Sequence, residues 1–551
     1  MASPPSSKDE ETTVAIIGAG TGGLALAIAL KQKLGYHKFT IYEKASEVGG
    51  TWRDNIYPGC SSDIHMGFYS LSTDLRDWKE SHGSQEVIFE YWKDLAKKYD
   101  IYPYISFDSK VVSANWDDMK QRYDLLLENS ISGSRRQSTA HIVISAIGVL
   151  EVPRFASIPG LNDFKGQMFH SARWERGVDM RGKRVAVIGN GASATQFIPI
   201  ISEDPSVEVI EFCRTPNWFM PPVRSPYSSL RRWAVRNVPF LMRFSRILLF
   251  LRFEGLYWSV FGTSIFRPIL AKFMGMYIRY TAPKQYHREL TPNYPPGCKR
   301  IIFDTNYLAA LHRPNLTLNW DGIESIVEAG ILTKKGETIP FDIIILSTGF
   351  AADEFPIPIT GNKSYTIQKY FESQGGGKAY LGTAYPAFPN FFTICGPNTA
   401  TGHTSVIYSN EVQIDYIIQL IKPILSGDIL SLEVRNEPTE EYNDKLQARL
   451  SKSVFTSCFS WYRVGGTGKI TNIFPGSGTT FWWWLRKPNW DHYTGIGVEG
   501  WATSVREKQR RRQIVSFTLA AATGALIYHV SKEPSFIFGY KTILDMLKGI
   551  Y

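Results

Sequence analysis

Two side chains of opposite charge stand at the same distance from two glycine-rich turns of the sequence. Glu43 lies 25 residues after Gly18, and Arg214 lies 25 residues after Gly189. A carboxylate in this position accepts hydrogen bonds from ribose hydroxyls, whereas a guanidinium binds a phosphate through two parallel hydrogen bonds. The pair therefore predicts two sites that bind different nucleotides.

The first turn belongs to the segment TTVAIIGAGTGGLALAIALK, which has the order of a buried strand, a GxGxxG turn and an apolar helix. Gly18 permits the tight turn, Gly20 lets a pyrophosphate approach the backbone, and Gly23 allows close packing of helix on strand. The next strand, FTIYEK, carries Glu43. An acid beside the adenosine ribose suits FAD, so this turn predicts an FAD site.

The second turn belongs to the segment KRVAVIGNGASATQFIPII and repeats the same order with Gly189, Gly191 and Ala194. Arg214 follows in FCRTPNW, where it would bind a 2′-phosphate. This turn therefore predicts an NADPH site. An ordinary surface arginine is the competing interpretation of Arg214.

The order of these segments predicts an α/β fold with two Rossmann-like dinucleotide-binding domains, the NADPH domain being inserted into a discontinuous FAD domain. FDIIILSTGF (Phe341–Phe350) and FPNFFTICGPNTATGHTS predict strands that return the chain to the FAD domain. We expect a disordered N-terminus (1–12), an N-terminal segment of the FAD domain (13–155), an NADPH domain (156–342) with a helical insert (about 224–285), a C-terminal segment of the FAD domain (343–490) and a C-terminal extension (491–551).

The bulk composition narrows the class of protein. The 551 residues exceed what one hydrophobic core accommodates, and 44% hydrophobic with 20% charged residues is typical of an ordered globular protein. The net charge of +10 comes without a nucleic-acid-binding motif, so we expect anionic cofactors and a membrane surface as partners and no nucleic acid. Five scattered cysteines without a CxxC pair favour a reduced cytosolic compartment and no metal site: Cys60, Cys213, Cys298, Cys395 and Cys458.

The stretch FKGQMFHSARW, just before the second turn, matches the pattern FxGxxxHxxxW with Phe164, Gly166, His170 and Trp174. This pattern resembles the fingerprint of Baeyer–Villiger monooxygenases, a branch of the class B flavoprotein monooxygenases. The family motif continues with Pro or Asp, where this chain has Glu175. Further segments resemble, in family order, the flavin-facing loop, the active-site arginine segment and the C-terminal pieces: GGTWRDNIYPGCSSDIHMGFYS, YPPGCKRIIFDTNYLAAL, GPNTATGHTS and CFSWYRVGGTGKITNIFPG.

The resemblance implies an FAD-dependent, NADPH-consuming monooxygenase, and the apolar C-terminal tail with the many aromatic residues favours a lipophilic substrate of specialised metabolism. Such an enzyme inserts one atom of O2 beside the carbonyl of a lipophilic ketone, through a C4a-peroxyflavin, and gives an ester or a lactone. The family's permanent cation matches Arg300, and the carboxylate that orients it matches Asp63. Arginine suits this task because it keeps its proton at working pH. An ion pair at a domain interface and a turn cap are the competing interpretations of the two residues.

The resemblance also implies further cofactor contacts. Thr51, Trp52 and Tyr69 belong to the segment that would face the flavin, and Thr215 and Lys299 would assist at the 2′-phosphate. Trp52 has a competing interpretation as a plain core residue.

His170 and Trp174 precede the NADPH turn, which places them at the crossing between the two domains. We expect them to couple the movement of the domains rather than to act as a base on the ketone. A capped linker histidine without a dynamic role is the alternative. Trp461 and Tyr462 are candidates for lining the substrate pocket or for contacting the NADPH ribose.

Two stretches raise the question of a membrane. Residues 514–530 (IVSFTLAAATGALIYHV) follow the basic cluster REKQRRR, which predicts a single-pass C-terminal anchor with the catalytic body facing the cytoplasm. A helix packed on the enzyme body is the alternative. The arginine-rich stretch 224–266 suits either a helix on a membrane surface or an ordinary helical core. The oligomeric state is left open.

Three other functions compete with ketone oxygenation. The nearest is a flavin-dependent N- or S-hydroxylating monooxygenase, against which Trp174 and the pairing of Asp63 with Arg300 argue. A disulfide-class reductase would need a cysteine partner for Cys60 near the flavin. A non-catalytic flavoprotein would leave two complete dinucleotide turns without a purpose.

Overall fold

The computed structural model describes residues 11–262, 265–362 and 364–532. The described strands are β1 (Val14–Ile17), β2 (Phe39–Tyr42), β3 (Ile105–Ser106), β4 (Ser109–Asp117), β5 (Arg122–Asn129), β6 (Arg135–Ala140), β7 (Ile142–Ser145), β8 (Gln167–His170), β9 (Arg184–Ile188), β10 (Glu208–Phe212), β11 (Phe219–Met220), β12 (Ile302–Phe303), β13 (Leu316–Asn319), β14 (Ile323–Val327), β15 (Gly330–Thr333), β16 (Thr338–Pro340), β17 (Ile343–Leu346), β18 (Ile359–Thr360), β19 (Phe391–Thr393), β20 (Glu433–Val434) and β21 (Tyr493–Thr494). The described α-helices are α1 (Thr21–Leu34), α2 (Thr51–Asp54), α3 (Gln85–Lys98), α4 (Ala192–Ile201), α5 (Ser229–Asn237), α6 (Leu241–Val260), α7 (Arg267–Thr281), α8 (His287–Leu290), α9 (Tyr307–Ala310), α10 (Ile367–Ser373), α11 (Val406–Leu425), α12 (Asn436–Ser451), α13 (Gly478–Leu485) and α14 (Val498–Lys532).

The first sheet carries the first glycine turn. Its strands lie in the order β19–β7–β1–β2–β3, all parallel, with Val14 of β1 beside Phe39 and Ile142. All four residues of β1 are buried, as expected for a central strand of a parallel sheet that is covered on both faces. The helix α1 follows the turn, ends at Leu34 and is capped by Gly35, so the strand, turn and helix predicted here are confirmed.

The second sheet carries the second glycine turn. Its strands lie in the order β13–β10–β9–β17–β8, all parallel, and come from residues 167 to 346. The first sheet takes four strands from residues 14 to 145 and then β19. The chain therefore leaves the first sheet, completes the second and returns, which confirms the predicted fold of two Rossmann-like domains, one inserted into the other.

One predicted strand lies in the other sheet. The stretch Phe341–Phe350 is expected in the FAD domain, but its strand β17 pairs with β8 and β9 of the second sheet. All four residues of β17 are buried, and a short apolar run does not indicate which of two parallel sheets takes it. We propose that the FAD domain resumes after Leu346 rather than at residue 343. The other domain boundaries stay predictions.

The predicted helical insert, residues 224–285, forms α5, α6 and α7. Arg246 of α6 anchors the insert to the FAD domain. It donates to the carbonyls of Gly67 at 3.1 Å and Ser70 at 2.9 Å, and pairs with Glu411 at 3.2 Å. Only 11% of the Arg246 side chain is exposed, so this anchor is largely shielded from solvent.

The C-terminal tail is helical, but it is not the predicted membrane anchor. Residues 514–530 belong to α14, where the hydroxyls of Thr518 and Thr523 donate to carbonyls one turn earlier and three arginines, 510–512, precede the apolar run. Across residues 11–262, 265–362 and 364–532, no helix combines the length and the apolar character that a membrane crossing requires. The predicted single-pass anchor and its membrane localisation are therefore wrong. Residues 1–10 of the predicted disordered N-terminus and residues 533–551 lie outside the described residues.

Candidate active site

A cavity of about 750 Å³ extends from the first glycine turn to the start of the helix that follows the second. Gly18 and Gly20 of the first turn line it, and so do Ala192 and Gln196 of α4 behind the second turn. Both turns follow the carboxyl ends of parallel strands, which is where nucleotides bind in sheets of this type. The first predicted dinucleotide site therefore opens onto a space that reaches the helix behind the second turn.

The first turn has the backbone shape that a pyrophosphate site needs. Gly18 has a φ of +99°, a conformation that favours glycine. A Cβ at Gly23 would lie 2.0 Å from the Gly18 carbonyl oxygen, so close packing of α1 on the turn excludes any side chain there. Gly20 begins α1 without a side-chain cap, which leaves the first amides of the helix available to an anion.

Glu43 is buried and lines the same cavity as this turn. Its carboxylate accepts hydrogen bonds from the N–H groups of Ala19 at 2.8 Å and Ala45 at 3.0 Å, and it pairs with Arg53 at 2.9 Å. These contacts fix the carboxylate, and its two oxygens keep acceptor capacity for ribose hydroxyls. The predicted role of Glu43 at the FAD ribose fits this position.

The flavin-facing loop brings Thr51, Trp52 and Tyr69 to the cavity wall. Trp52 Nε1 donates to the Tyr69 hydroxyl at 3.0 Å, and the two rings meet edge to face with their centroids 5.6 Å apart. Burial raises the pKa of Tyr69, so the phenol keeps its proton. The two rings form a fixed wall next to the first glycine turn.

The second turn repeats the backbone of the first. Gly189 has a φ of +105°, and Gly191 begins α4 without a side-chain cap. Ala194 takes the place of the third glycine and is fully buried. The second turn therefore tolerates the methyl group that the first turn excludes at Gly23.

Three predicted phosphate ligands lie together beside the second turn. Lys299 Nζ donates to Thr215 Oγ1 at 2.9 Å, and the guanidinium of Arg214 lies 4.2 Å from the centre of the Phe459 ring. Burial, and then the neighbouring Arg214, lower the pKa of Lys299 to about 8. Among the described residues neither cation has a carboxylate partner, so this cluster fits a dianionic phosphate.

Arg300 and Asp63 form an ion pair on the cavity wall, although 237 residues separate them. Arg300 donates from Nε at 2.9 Å and from Nη2 at 2.6 Å to one oxygen of Asp63, and from Nη1 at 3.1 Å to the Gly402 carbonyl. The exposed 29% of its side chain opens onto the cavity. Burial works against the charge, yet the attraction of Asp63 leaves the pKa of Arg300 above its ordinary value. The site therefore holds a permanent cation.

His170 and Trp174 lie at the junction of the two domains. His170 ends β8, and its buried ring packs against Phe155 and Phe350 at centroid distances of 5.8 Å and 6.1 Å, on the two segments that connect the domains. Trp174 packs against Phe197 of α4 at 5.2 Å. Burial lowers the pKa of His170 to about 4, which keeps the ring neutral near pH 7. The position suits a linker histidine, and its coupling of domain movement stays a prediction.

Sequence reasoning misses a contact between the domains at Gln196. This side chain of α4 accepts from the Tyr57 hydroxyl at 3.0 Å and donates to the Ser61 carbonyl at 3.1 Å. It joins the NADPH domain to the flavin-facing loop. A glutamine on a helix has many uses, so the sequence gives little signal for this contact beyond its position two residues after Ala194.

Sequence reasoning also misses a disulfide between Cys298 and Cys458, whose Cα atoms lie 6.0 Å apart. This pairing contradicts the expectation of reduced cysteines, on which the predicted cytosolic compartment rested. The two residues are 160 positions apart, so no local spacing indicates the bond. The usable signal is that each cysteine adjoins a predicted site segment: Cys298 precedes Lys299 and Arg300, and Cys458 precedes Phe459.

These features define a class: a two-dinucleotide flavoprotein with a permanent cation on the wall of a cavity that extends from the first glycine turn to the helix behind the second. The family model described as flavin-binding monooxygenase-like matches residues 11–357, and the chain belongs to this family. The FAD-binding monooxygenase ktnD of Aspergillus niger is 36% identical over 482 residues, which cover 84% of this chain and 78% of that protein. A Baeyer–Villiger monooxygenase of Pseudomonas aeruginosa is 35% identical over 474 residues, 84% of this chain and 87% of that protein.

Solved structures of other proteins have the same fold as this chain. The crystal structure of OTEMO in complex with FAD and NADP covers 88% of this chain and 99% of its own, with a TM-score of 0.77 and 25% identity. The resemblance to Baeyer–Villiger monooxygenases that the sequence motifs indicate is thus confirmed.

Proposed function

We propose that the protein is an FAD- and NADPH-dependent Baeyer–Villiger monooxygenase. It inserts one oxygen atom of O2 beside the carbonyl of a lipophilic ketone and releases an ester or a lactone. The observation that carries this proposal is the Arg300–Asp63 pair on the wall of the cavity that extends from the first glycine turn to the helix behind the second. The match to a Baeyer–Villiger monooxygenase over most of the chain supports it.

The residues at the two turns fit the two dinucleotides. At the first turn, uncapped helix amides suit a pyrophosphate, and the buried acid Glu43 suits an adenosine ribose without a 2′-phosphate. At the second turn, Arg214 and Lys299 form a cation cluster that suits the 2′-phosphate of NADPH. When bound, the two groups supply a hydride from the nicotinamide and the activation of O2 at the reduced flavin.

Arg300 keeps a positive charge where negative charge develops on oxygen. An arginine does not release its proton at working pH, so it stabilises an anion without protonating it. In a cavity with little water this stabilisation exceeds that in bulk solvent. Asp63 is a positioning residue in this proposal, because its two hydrogen bonds fix the plane of the guanidinium.

The cavity wall favours a hydrophobic ketone. Ile64, Ile302, Ile473 and Trp461 all line it. Apolar side chains bind the hydrocarbon portion of a substrate and displace water from the reacting carbonyl. Exclusion of water also strengthens the attraction between Arg300 and a negative charge on oxygen.

Product analysis tests this function. The flavin-loaded protein is incubated with NADPH and O2 and with a panel of hydrophobic ketones, amines and sulfides, and products and hydrogen peroxide are quantified. We expect esters or lactones from ketones. Arg300→Ala should keep its flavin but lose ester formation by a factor on the order of 10²–10³, the loss typical of one removed electrostatic donor.

Arg184→Ala is the matched control, because this arginine forms an exposed ion pair with Glu208 at the far end of β9. It should retain full ester formation. Ester formation that survives in Arg300→Ala would disprove the assigned cation. Oxygenation of amines or sulfides alone would replace the proposal by the heteroatom-hydroxylating alternative.

A further inference from the structure

The C-terminal end of α6 packs against both backbone segments that hold Arg300. A Cβ at Gly297 would lie 2.8 Å from Val260 Cγ1, and a Cβ at Gly402 would lie 3.0 Å from the Phe261 ring. Gly297 precedes Arg300 by three residues, and the Gly402 carbonyl accepts the Nη1 hydrogen bond of Arg300. Neither glycine leaves free space, so a displacement of α6 acts directly on the surroundings of the cation.

A hydrogen bond between His403 and α6 reinforces this contact. His403 follows Gly402, is 3% exposed, and its Nε2 lies 3.3 Å from Oε1 of Glu254 on α6. Its ring also packs against Tyr257 of α6, with the centroids 5.0 Å apart. The residue next to the acceptor of Arg300 is thus bound to the helical insert by both a polar and an aromatic contact.

The charges of this pair are well defined. Burial alone would raise the pKa of Glu254, but hydrogen bonds from His403 and from the start of α13 lower it to about 2. The carboxylate accepts from the N–H groups of Gly478 at 2.7 Å and Thr479 at 3.2 Å. Burial lowers the pKa of His403, the hydrogen bond to Glu254 and its charge oppose this shift, and the nearby Arg300 adds to it; the net shift is downward, so the ring is neutral near pH 7. Because a carboxylate only accepts, Nε2 of His403 is the donor.

We propose that Glu254 and His403 are positioning residues for Arg300. The pair holds α6 against Gly402 and so keeps the Gly402 carbonyl in place as the second acceptor of the guanidinium. Neither Glu254 nor His403 belongs to the described residues that line the cavity. The two residues therefore act through Gly402 and not on the substrate. This inference rests on the proposed function.

Loss of the pair has a defined chemical consequence. Arg300 keeps its hydrogen bonds to Asp63, but the Gly402 carbonyl is no longer held in place. The guanidinium then occupies a wider range of positions at the cavity wall. NADPH, O2 and one proton then give NADP+ and hydrogen peroxide, while the ketone stays unreacted. The ester formed per NADPH consumed therefore reports the position of the cation, and a purely structural role elsewhere would leave this ratio unchanged.

The test compares three changes with a matched control. Glu254→Gln removes the charge and His403→Leu removes the donor, whereas His403→Gln keeps an N–H donor. Asp77→Asn is the control, since Asp77 pairs with Arg232 of α5 at 2.9 Å and so anchors the same helical insert away from Arg300. For each full-length, flavin-loaded variant, ester and hydrogen peroxide are measured per NADPH consumed.

We expect Glu254→Gln and His403→Leu to lower the ester yield per NADPH roughly threefold to tenfold, the size of one weakened hydrogen bond. His403→Gln should recover most of the yield, and Asp77→Asn should match the wild type. Hydrogen–deuterium exchange of the resting protein gives a readout that needs no turnover. Peptides covering residues 296–303 and 400–405 should exchange faster in Glu254→Gln and His403→Leu only.

Unchanged yield and unchanged exchange in both variants would overturn the proposal, and so would Asp77→Asn reproducing their effect. If Glu254→Gln does not fold, the contrast between His403→Leu and His403→Gln carries the test. A wild type that forms no ester refutes the proposed function instead. The exchange measurement then still decides whether the pair holds the two segments around Arg300.

Discussion

The two glycine turns share one backbone shape and differ in the side chain that follows. Gly18 and Gly189 have φ angles of +99° and +105°, and both turns lead into a helix without a side-chain cap. Glu43 is buried beside the first turn, whereas Arg214 is exposed beside the second. We propose that the backbone supplies a site for a pyrophosphate at both turns and that the charge at equal distance selects the nucleotide.

The surroundings of the two side chains differ as well. Glu43 is held by two backbone amides and Arg53, a fixed arrangement that suits a cofactor that stays bound. Arg214 is solvent-exposed and has another cation, Lys299, as its neighbour. A cluster of like charge with one exposed guanidinium suits an anionic nucleotide that enters and leaves during each turnover.

The largest effect is expected at the third position of the first turn. Gly23→Ala places a methyl group 2.0 Å from the Gly18 carbonyl, so α1 must move away from the turn. We expect purified Gly23→Ala to contain little flavin, measured as the ratio of flavin to protein absorbance. Ala194→Gly is the mirror change and should cost only about 1 kcal/mol of helix stability, with flavin content retained. Full flavin content in Gly23→Ala would contradict the assigned FAD turn.

The second-largest effect is expected when the acid of the first turn is placed at the equivalent position of the second turn. Arg214→Glu should lower kcat/KM for NADPH by roughly 100-fold, since a hydrogen-bonded charge contact contributes up to about 3 kcal/mol. Activity with NADH should change little, because NADH has no 2′-phosphate. Steady-state kinetics with both nucleotides check this. An equal loss for NADPH and NADH would remove Arg214 from the 2′-phosphate site.

A smaller, pH-dependent effect is expected from Lys299. Its lowered pKa of about 8 means that the free protein loses this charge as the pH rises through about 8. Attraction for the 2′-phosphate requires the protonated form, so kcat/KM for NADPH should decline above that pH while the value for NADH should not. Lys299→Arg should abolish the decline, because arginine stays protonated. A pH profile of the same shape for both nucleotides would contradict this account.

The smallest effect on nucleotide binding is expected from Cys458→Ser. The disulfide to Cys298 holds Phe459 under Arg214, so its loss should raise the KM for NADPH roughly threefold, as for one exposed cation–π contact. Flavin content should not change. A dithiol reductant should have the same effect on the wild type and none on Cys458→Ser. An unchanged KM in both cases would show that the second site does not depend on this bridge.

The sequence predicts features that are local. Each dinucleotide turn lies within about twenty residues, and its strand, turn and helix follow from periodicity and glycine spacing. The pairing of Asp63 with Arg300 spans 237 residues and is available only through the family resemblance. The membrane prediction for residues 514–530 relied on a short apolar run and its basic flank and is wrong.

The missed features are long-range or made by the backbone. The disulfide joins residues 160 positions apart, and the sheet that takes β17 depends on neighbours rather than on its own buried residues. The Gly402 carbonyl binds Arg300 through an atom that every residue possesses, so no residue type indicates it. Such contacts follow from the three-dimensional arrangement of the elements.

The central claim is that the turn followed by Glu43 binds FAD and the turn followed by Arg214 binds NADPH. A crystal structure of the protein with FAD and NADP+ tests it most directly. The account predicts density for the FAD ribose within hydrogen-bond distance of Glu43, and density for the 2′-phosphate within hydrogen-bond distance of Arg214 and Lys299. A 2′-phosphate located away from both cations, or an FAD ribose away from Glu43, would contradict the account.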